Sequence, residues 1–240
     1  MIYQYKIHLE KKDSEVLLSS DAYKLYAWLL SKMSEDDAEK LHDTTHILSQ
    51  FLKYSIWTIN IFDEHYNSIV FDIIKKFNKI ELKEYNIKIL NIEFSSVSFE
   101  ELLKKGQEIR NKKVEINFLT HTGFKQAGRY VIFPNEELLL HSLIKKWNAV
   151  SSDFYFDDNE AYNIMKSELH IVDYNLRTGR YKMKNTAIPS IYGKIYVESR
   201  LPISIQNIWN TLLLFSEYSG IGIKTTLGMG GIQINKDYNN

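Results

Sequence analysis

Residues 220–231 read Gly-Ile-Gly-Ile-Lys-Thr-Thr-Leu-Gly-Met-Gly-Gly, and five of the chain's ten glycines fall inside this window. Glycine loses more backbone freedom on ordering than any other residue. A cluster this dense therefore marks backbone that must approach something closely or take up positive φ. Lys224, Thr225 and Thr226 set a cation and two hydroxyls in its middle; with backbone amides, these groups suit a phosphate. The competing description is a helix C-cap at Gly220 followed by a tight turn. The common nucleotide motifs do not fit. A P-loop has glycine directly before its lysine and joins a strand to a helix. Here Ile223 precedes the lysine, an amphipathic helical stretch comes first, and Ile232-Gln-Ile234 suits a short strand. The dinucleotide fingerprint GxGxxG fails at Thr225. These departures disfavour mononucleotide hydrolysis and favour a polymeric phosphate ligand.

At 240 residues the chain makes one large domain or two small ones, and 44% hydrophobic and 13% aromatic residues suffice for proper cores. The start, Met1 to His8, alternates polar and apolar residues and does not have a leader's charged-then-apolar form. No apolar run approaches the roughly 20 residues of a membrane span, so no membrane partner is expected. Cysteine is absent, which excludes disulfides and thiolate zinc sites and fits a reducing cytoplasm. A formal net charge of zero argues against broad electrostatic capture of nucleic acid and leaves room for a local basic face.

The C-terminal half has the clearest periodicities. Val114–Phe118 and Arg129–Phe133 suit extended structure. A helix then starts at Pro134-Asn135-Glu-Glu, with Asn135 as cap and the glutamates at the positive end. Its apolar stripe is Leu139, Leu140, Leu143, Ile144 and Trp147, with Lys145 and Lys146 expected in its last turn. Glu168–Tyr174 and Tyr192–Glu198 suit strands. A second helix follows Pro202 with Ser204 as its cap, then the glycine loop and a last strand. The order β-α-β-β-α-β is ferredoxin-like. The N-terminal half fits a second copy: a strand at Tyr3–His8, a helix capped by Ser19 or Ser20, and a short helix from Ser34. Strands are expected at Tyr54–Phe62 and Ser68–Ile73, a short helical piece near Ile74–Asn78, and a strand near Ile87–Phe94. Glu100–Lys113 is expected to connect the halves. The fold class is thus α+β, two tandem ferredoxin-like domains, residues 1–112 and 113–240.

Three segments carry a family resemblance. They are the Gly220–Gly231 loop (GxGxKTxxGxG); Phe118–Lys125 with Gly128-Arg129 and the helix that ends at Trp147; and Leu41-His42-Asp43 after the first helix. Together they resemble the CRISPR repeat-processing endoribonucleases of the RAMP superfamily, whose fold is two tandem ferredoxin-like domains. The resemblance implies a cofactor-free, metal-independent cut in each repeat of a CRISPR precursor RNA. The ribose 2′-OH attacks phosphorus and leaves a 2′,3′-cyclic phosphate and a 5′-OH. That chemistry asks for a base, an acid and a group that steadies the phosphorane. His42, placed at the C-terminal end of a short helix that favours imidazolium, is the first catalytic candidate; His46 is the second, and Lys53 could steady the phosphate. Tyr26 reads as a core aromatic. RNA contacts are expected from Gly220, Gly222, Lys224, Thr225, Gly228 and Gly230. Lys125, Arg129, Arg180 and Lys182 add cations. Arg180 and Lys182 belong to a stretch, Arg177–Arg200, with six basic residues against one acid, and Tyr181 is placed there to stack on a base. His121 stands where the family has proline.

Two rivals remain. Related RAMP proteins hold guide RNA without cutting, which makes a non-catalytic RNA-binding subunit of a CRISPR effector complex the alternative. An effector complex is a possible partner in either case, and the protein is expected to be a monomer or homodimer. His42-Asp-Thr-Thr-His46 also resembles the zinc-protease HExxH, with Glu64 or His65 as third ligand.

Overall fold

The computed structural model describes residues 1–11, 16–44, 46–184 and 186–235. The first unit runs β1 (Ile2–Lys11), α1 (Ala22–Leu30), α2 (Glu35–Asp43), β2 (Leu48–Lys53), β3 (Ile56–Ile61), α3 (Glu64–Lys76), β4 (Lys79–Glu81) and β5 (Asn86–Val97). A helix, α4 (Phe99–Glu108), leads to the second unit. That unit comprises β6 (Lys113–Thr122), a small hairpin β7 (Phe124–Gln126) and β8 (Arg129–Val131), α5 (Glu136–Val150), α6 (Asn159–Glu168), β9 (Leu169–Met183), β10 (Thr186–Ser199), α7 (Ile203–Ser219) and β11 (Ile232–Asn235).

The two main sheets have one topology. Strand order is β2-β3-β1-β5-β4 in the first and β11-β6-β10-β9 in the second, and every pairing is antiparallel. In each, the first strand sits between the third and the last, as in the ferredoxin-like fold; β4 is an added edge. The expected fold class is therefore found twice along the chain.

Several elements differ from the sequence-based expectation. Ser68–Ile73 is helical and lies within α3. Its buried residues Tyr66, Val70, Ile73 and Ile74 follow a helical period, and Asp63 caps it by accepting from the Tyr66 amide. Tyr54 is not part of a strand: Tyr54 and Ser55 turn the β2–β3 hairpin at φ 52° and 58°. Glu100–Lys113 is no loose connection. Ser98 and Glu101 form a capping box at the start of α4. Asn210 Nδ2 then donates to Gly106 O and Ile109 O at 3.0 and 3.1 Å, fixing α4 on α7. Ser204 lies inside α7, which begins after Pro202. α5 continues to Val150, so Lys145 and Lys146 sit in its interior, not in its last turn.

The units are fused through their cores. Ile2 and Val97 of the first unit belong to the apolar cluster built around α5 and α7. Three buried polar residues of the first sheet reach across. Asn60 Nδ2 donates to Tyr218 O (2.8 Å), Ser49 Oγ donates to the same carbonyl, and Gln50 Nε2 donates to Thr226 O (3.0 Å). Trp57 Nε1 donates in turn to Gln50 Oε1 at 2.8 Å. Buried polar groups left unpaired cost about 1–3 kcal/mol each, so this network fixes how the glycine loop sits against the first sheet.

Candidate nucleic-acid interface

The glycine loop is wedged between the units. Gly228 has φ 98°, and a Cβ there would lie 2.4 Å from Ala22 Cβ and 2.5 Å from the Tyr181 hydroxyl. At Gly222, φ is 82° and a Cβ would come within 2.3 Å of Gly123 O. The glycines thus answer to close backbone approach, as their density requires. The C-cap description holds too, because Gly220 ends α7 at φ 67°.

The amide cradle expected of this loop is otherwise engaged. Gly220 N donates to Ser216 O, Ile221 N to Gly230 O, Ile223 N to Gly123 O, Gly230 N to His121 O, and Gly222 N to Ser142 Oγ. Gly220, Gly228 and Gly230 are buried. The loop lines the groove with Gly222 through Leu227, of which Lys224 is exposed at φ 56° and Thr225 is buried.

These residues line a groove of about 640 Å³ between the units, within the range of roughly 300–1,000 Å³ usual for small-ligand sites. The first unit supplies Tyr26, His42 and His46; the second supplies Lys125, Gly128, His141, Ser142, Lys145 and Lys146 together with the loop. Residues far apart in sequence, His42 and the Lys224-Thr225 pair, meet here.

Each group is held differently. His42 lies in the last turn of α2, whose start is capped by Ser34. Its side chain is 77% exposed, with Nδ1 3.3 Å from the Asp43 carboxylate. Tyr26 is buried, its hydroxyl donates to Leu41 O at 3.4 Å, and burial pushes its pKa up to about 12; it braces the helix end that carries His42. His46 lies beyond α2 at φ 98°. Burial, then the charges of Lys146 and Lys145, push its pKa down to about 4, so its ring is neutral near pH 7. Lys146 is 5% exposed and donates to Ser219 O (3.2 Å) and Gly220 O (2.9 Å), closing the end of α7. Burial brings its pKa down to about 7.

The chain's C-terminal half, residues 116–232, matches the family model of the CRISPR-associated endoribonuclease Cas6. A CRISPR-associated endoribonuclease Cas6 of Streptococcus thermophilus is 26% identical over 89% of this chain and 90% of its own length. The Cas6 structure from Thermus thermophilus superposes with a TM-score of 0.78 over 98% of both chains at 21% identity. A Cas6 product complex superposes at 0.79, over 98% of this chain and 100% of the other, also at 21% identity. Over nearly its whole length the chain is thus similar to Cas6 proteins, in sequence and in fold.

Within this chain the remaining candidates fall into two groups. Lys125 and Thr225 join the groove. Lys53 does not line it; its ammonium lies 4.9 Å from the Tyr54 ring centre. Arg129 is exposed on β8, and Arg180 and Lys182 are exposed on β9, none of them among the groove's lining residues. Tyr181 is no stacking platform: it is fully buried and donates to Leu227 O at 2.6 Å. Two of the basic residues counted with it are paired, Lys194 with Glu115 (2.8 Å) and Arg200 with Glu198 (3.4 Å). His121 sits on β6 with Nδ1 2.9 Å from Ser190 Oγ, and burial followed by Lys53 lowers its pKa. The zinc-protease pattern fails, since His42 is on α2 and His46 lies outside it; the motif needs both on one helical face. His65 instead pairs with Asp37 at 2.9 Å.

The sequence reading gave no site role to His141, Ser142, Lys145 or Lys146. Their signal was present: polar residues at 141, 142, 145 and 146 recur at helical spacing along α5. Of these, Lys146 falls on the buried side with Leu143 and Trp147.

Proposed function

We propose that this chain cuts CRISPR precursor RNA within each repeat, by metal-independent attack of a ribose 2′-OH on the adjacent phosphorus. The products are a 2′,3′-cyclic phosphate and a 5′-OH. In this reading residues 1–112 carry the catalytic histidine, residues 113–240 carry the glycine-rich loop, and the work is done in the cytoplasm. One observation carries the proposal: a single groove gathers His42, Lys125, Lys224 and Thr225 from both units. The exposed imidazole on α2 can exchange a proton with RNA, and Lys125 and Lys224 offer charge to phosphates on either side of the cut. The description of the Streptococcus thermophilus relative as a CRISPR-associated endoribonuclease supports the cutting of RNA.

The test is incubation with repeat RNA from the chain's own host in excess EDTA, beside His42→Ala. One cut carrying a cyclic phosphate, slowed about 10²–10⁴-fold in the variant with binding retained, is the expected result. Tight binding without a cut would move the chain to the non-catalytic class. A cut abolished by EDTA would remove the metal-independent mechanism.

A further inference from the structure

Both units send a histidine to the groove on the same topological element. His42 rides on α2, in the crossover that follows β1, and His141 rides on α5, in the crossover that follows β6. His141 is exposed and makes no hydrogen bond or ion pair with any described residue. The backbone beneath it is fixed nonetheless. Its neighbour Ser142 accepts the Gly222 amide at 2.8 Å, and Lys146, on the same helix, donates to the end of α7. An unpartnered imidazole on a fixed helix, one turn from the groove-lining Lys145, is placed to act on a bound phosphodiester.

The endoribonuclease reading, on which this inference rests, requires two proton-transfer groups, one at the attacking oxygen and one at the leaving oxygen. His46 is a poor second partner, because burial and two neighbouring lysines weaken its hold on a proton, which makes it a weak base and leaves it no proton to give near pH 7. Lys53 lies off the groove.

We propose that His141 is the second catalytic residue, acting with His42 on one phosphodiester from the other unit. As the 2′-oxygen bonds to phosphorus, its proton passes to one imidazole. As the bond from phosphorus to the 5′-oxygen breaks, the other imidazolium gives its proton to that oxygen. The two rings end with their protonation exchanged, and solvent resets them.

The experiment follows single-turnover cleavage of host repeat RNA in EDTA by the full chain, His42→Ala, His141→Ala and His141→Gln. A second RNA carries sulfur in place of the scissile 5′-oxygen, so that its leaving group departs without a proton. Thermal melts accompany each variant, and the exposed position of His141 predicts wild-type melting. Both His141 variants should cut normal RNA about 10²–10⁴-fold more slowly at saturating protein. The sulfur substrate should restore the rate of whichever histidine variant lacks the acid, and not the other. Wild-type rates in both His141 variants would overturn the proposal. So would a defect cured by saturating protein, or a sulfur substrate that rescues neither histidine variant. A wild-type chain that cuts no repeat RNA would instead sink the endoribonuclease reading and this inference with it.

Discussion

The wall of the groove that the first unit contributes is short, charged and open; the wall from the second is long and locked. α2 has nine residues, with Leu41 its buried one, held by the Ser34 cap and by the Tyr26 hydroxyl on Leu41 O. The opposite wall joins the fifteen-residue α5 to a loop whose amides bond inward, with buried Lys146 closing the end of α7. The two sheets share one topology, so the difference resides in the connections. A fold that fixes its strands twice is free to carry one exposed histidine on a short, lightly held crossover helix and the other, with Lys145, on a crossover helix tied into a rigid frame.

The severest way to break this contrast is to strain the locked wall. Gly228→Val would place a branched side chain at φ 98°, against Ala22 and the Tyr181 hydroxyl. A loss of about 2–4 kcal/mol is expected, read as a shift of the urea midpoint at constant slope. Near-normal stability would mean that the loop yields and the wall is not locked.

The next largest effect depends on pH. The His46 pKa is about 4 in the fold against 6.5 for the free group. Between those values the unfolded chain binds the proton that the folded chain refuses, so stability falls as pH drops through that window. Lys146, at about 7 in the fold against 10.5, has the same sign in a higher window. Both groups therefore make stability rise with pH, by about 1–3 kcal/mol each. His46→Gln should flatten the melting-temperature profile between pH 4 and 6.5, and Lys146→Met the profile between pH 7 and 10.5. An unchanged slope in either variant would show that the group is solvated.

The sequence announced the glycine loop, the α5 cap at Asn135 and the topology, because those depend on local chemistry: positive φ, capping and period. Asn135 does accept the Leu138 amide, at 2.8 Å. It misassigned Ser68–Ile73, where a run of apolar residues hid a helical period that only burial reveals. It took Tyr181 for a base-stacking group because an aromatic among cations looks the same whether its strand faces solvent or the neighbouring unit. Gln50 and Asn60 carried no signal at all; their importance comes from buried contacts with α7 and the loop, 158 and 176 residues distant. His141 was passed over for a related reason. A histidine on an amphipathic helix becomes a candidate only when the other unit supplies the second wall.

Electrostatics sharpens the contrast at smaller cost. Lys224 and Lys145 are exposed cations of the locked wall, while Lys146 is buried and bonded to carbonyls. Under the RNA reading, Lys224→Ala should weaken repeat RNA binding several-fold and lower the slope of log affinity against log salt by about one. An unchanged slope would remove Lys224 from phosphate contact.

The smallest and most discriminating comparison is between two helix caps. Ser34 accepts the Asp37 amide at the start of α2, and Asn135 accepts the Leu138 amide at the start of α5. Alanine at either position removes one capping bond and should cost about 0.5–1 kcal/mol. Equal losses of stability should not give equal losses of cleavage. α5 is tied down beyond its first turn by Ser142 and Lys146, so fraying at Asn135 stops before it reaches the groove. α2 is short enough that fraying from Ser34 reaches His42. Ser34→Ala should therefore slow repeat cleavage several-fold while Asn135→Ala leaves the rate unchanged, both measured at saturating protein. Equal rates in the two variants would mean that α2 is as firmly held as α5, and the division into an open wall and a locked one would fail.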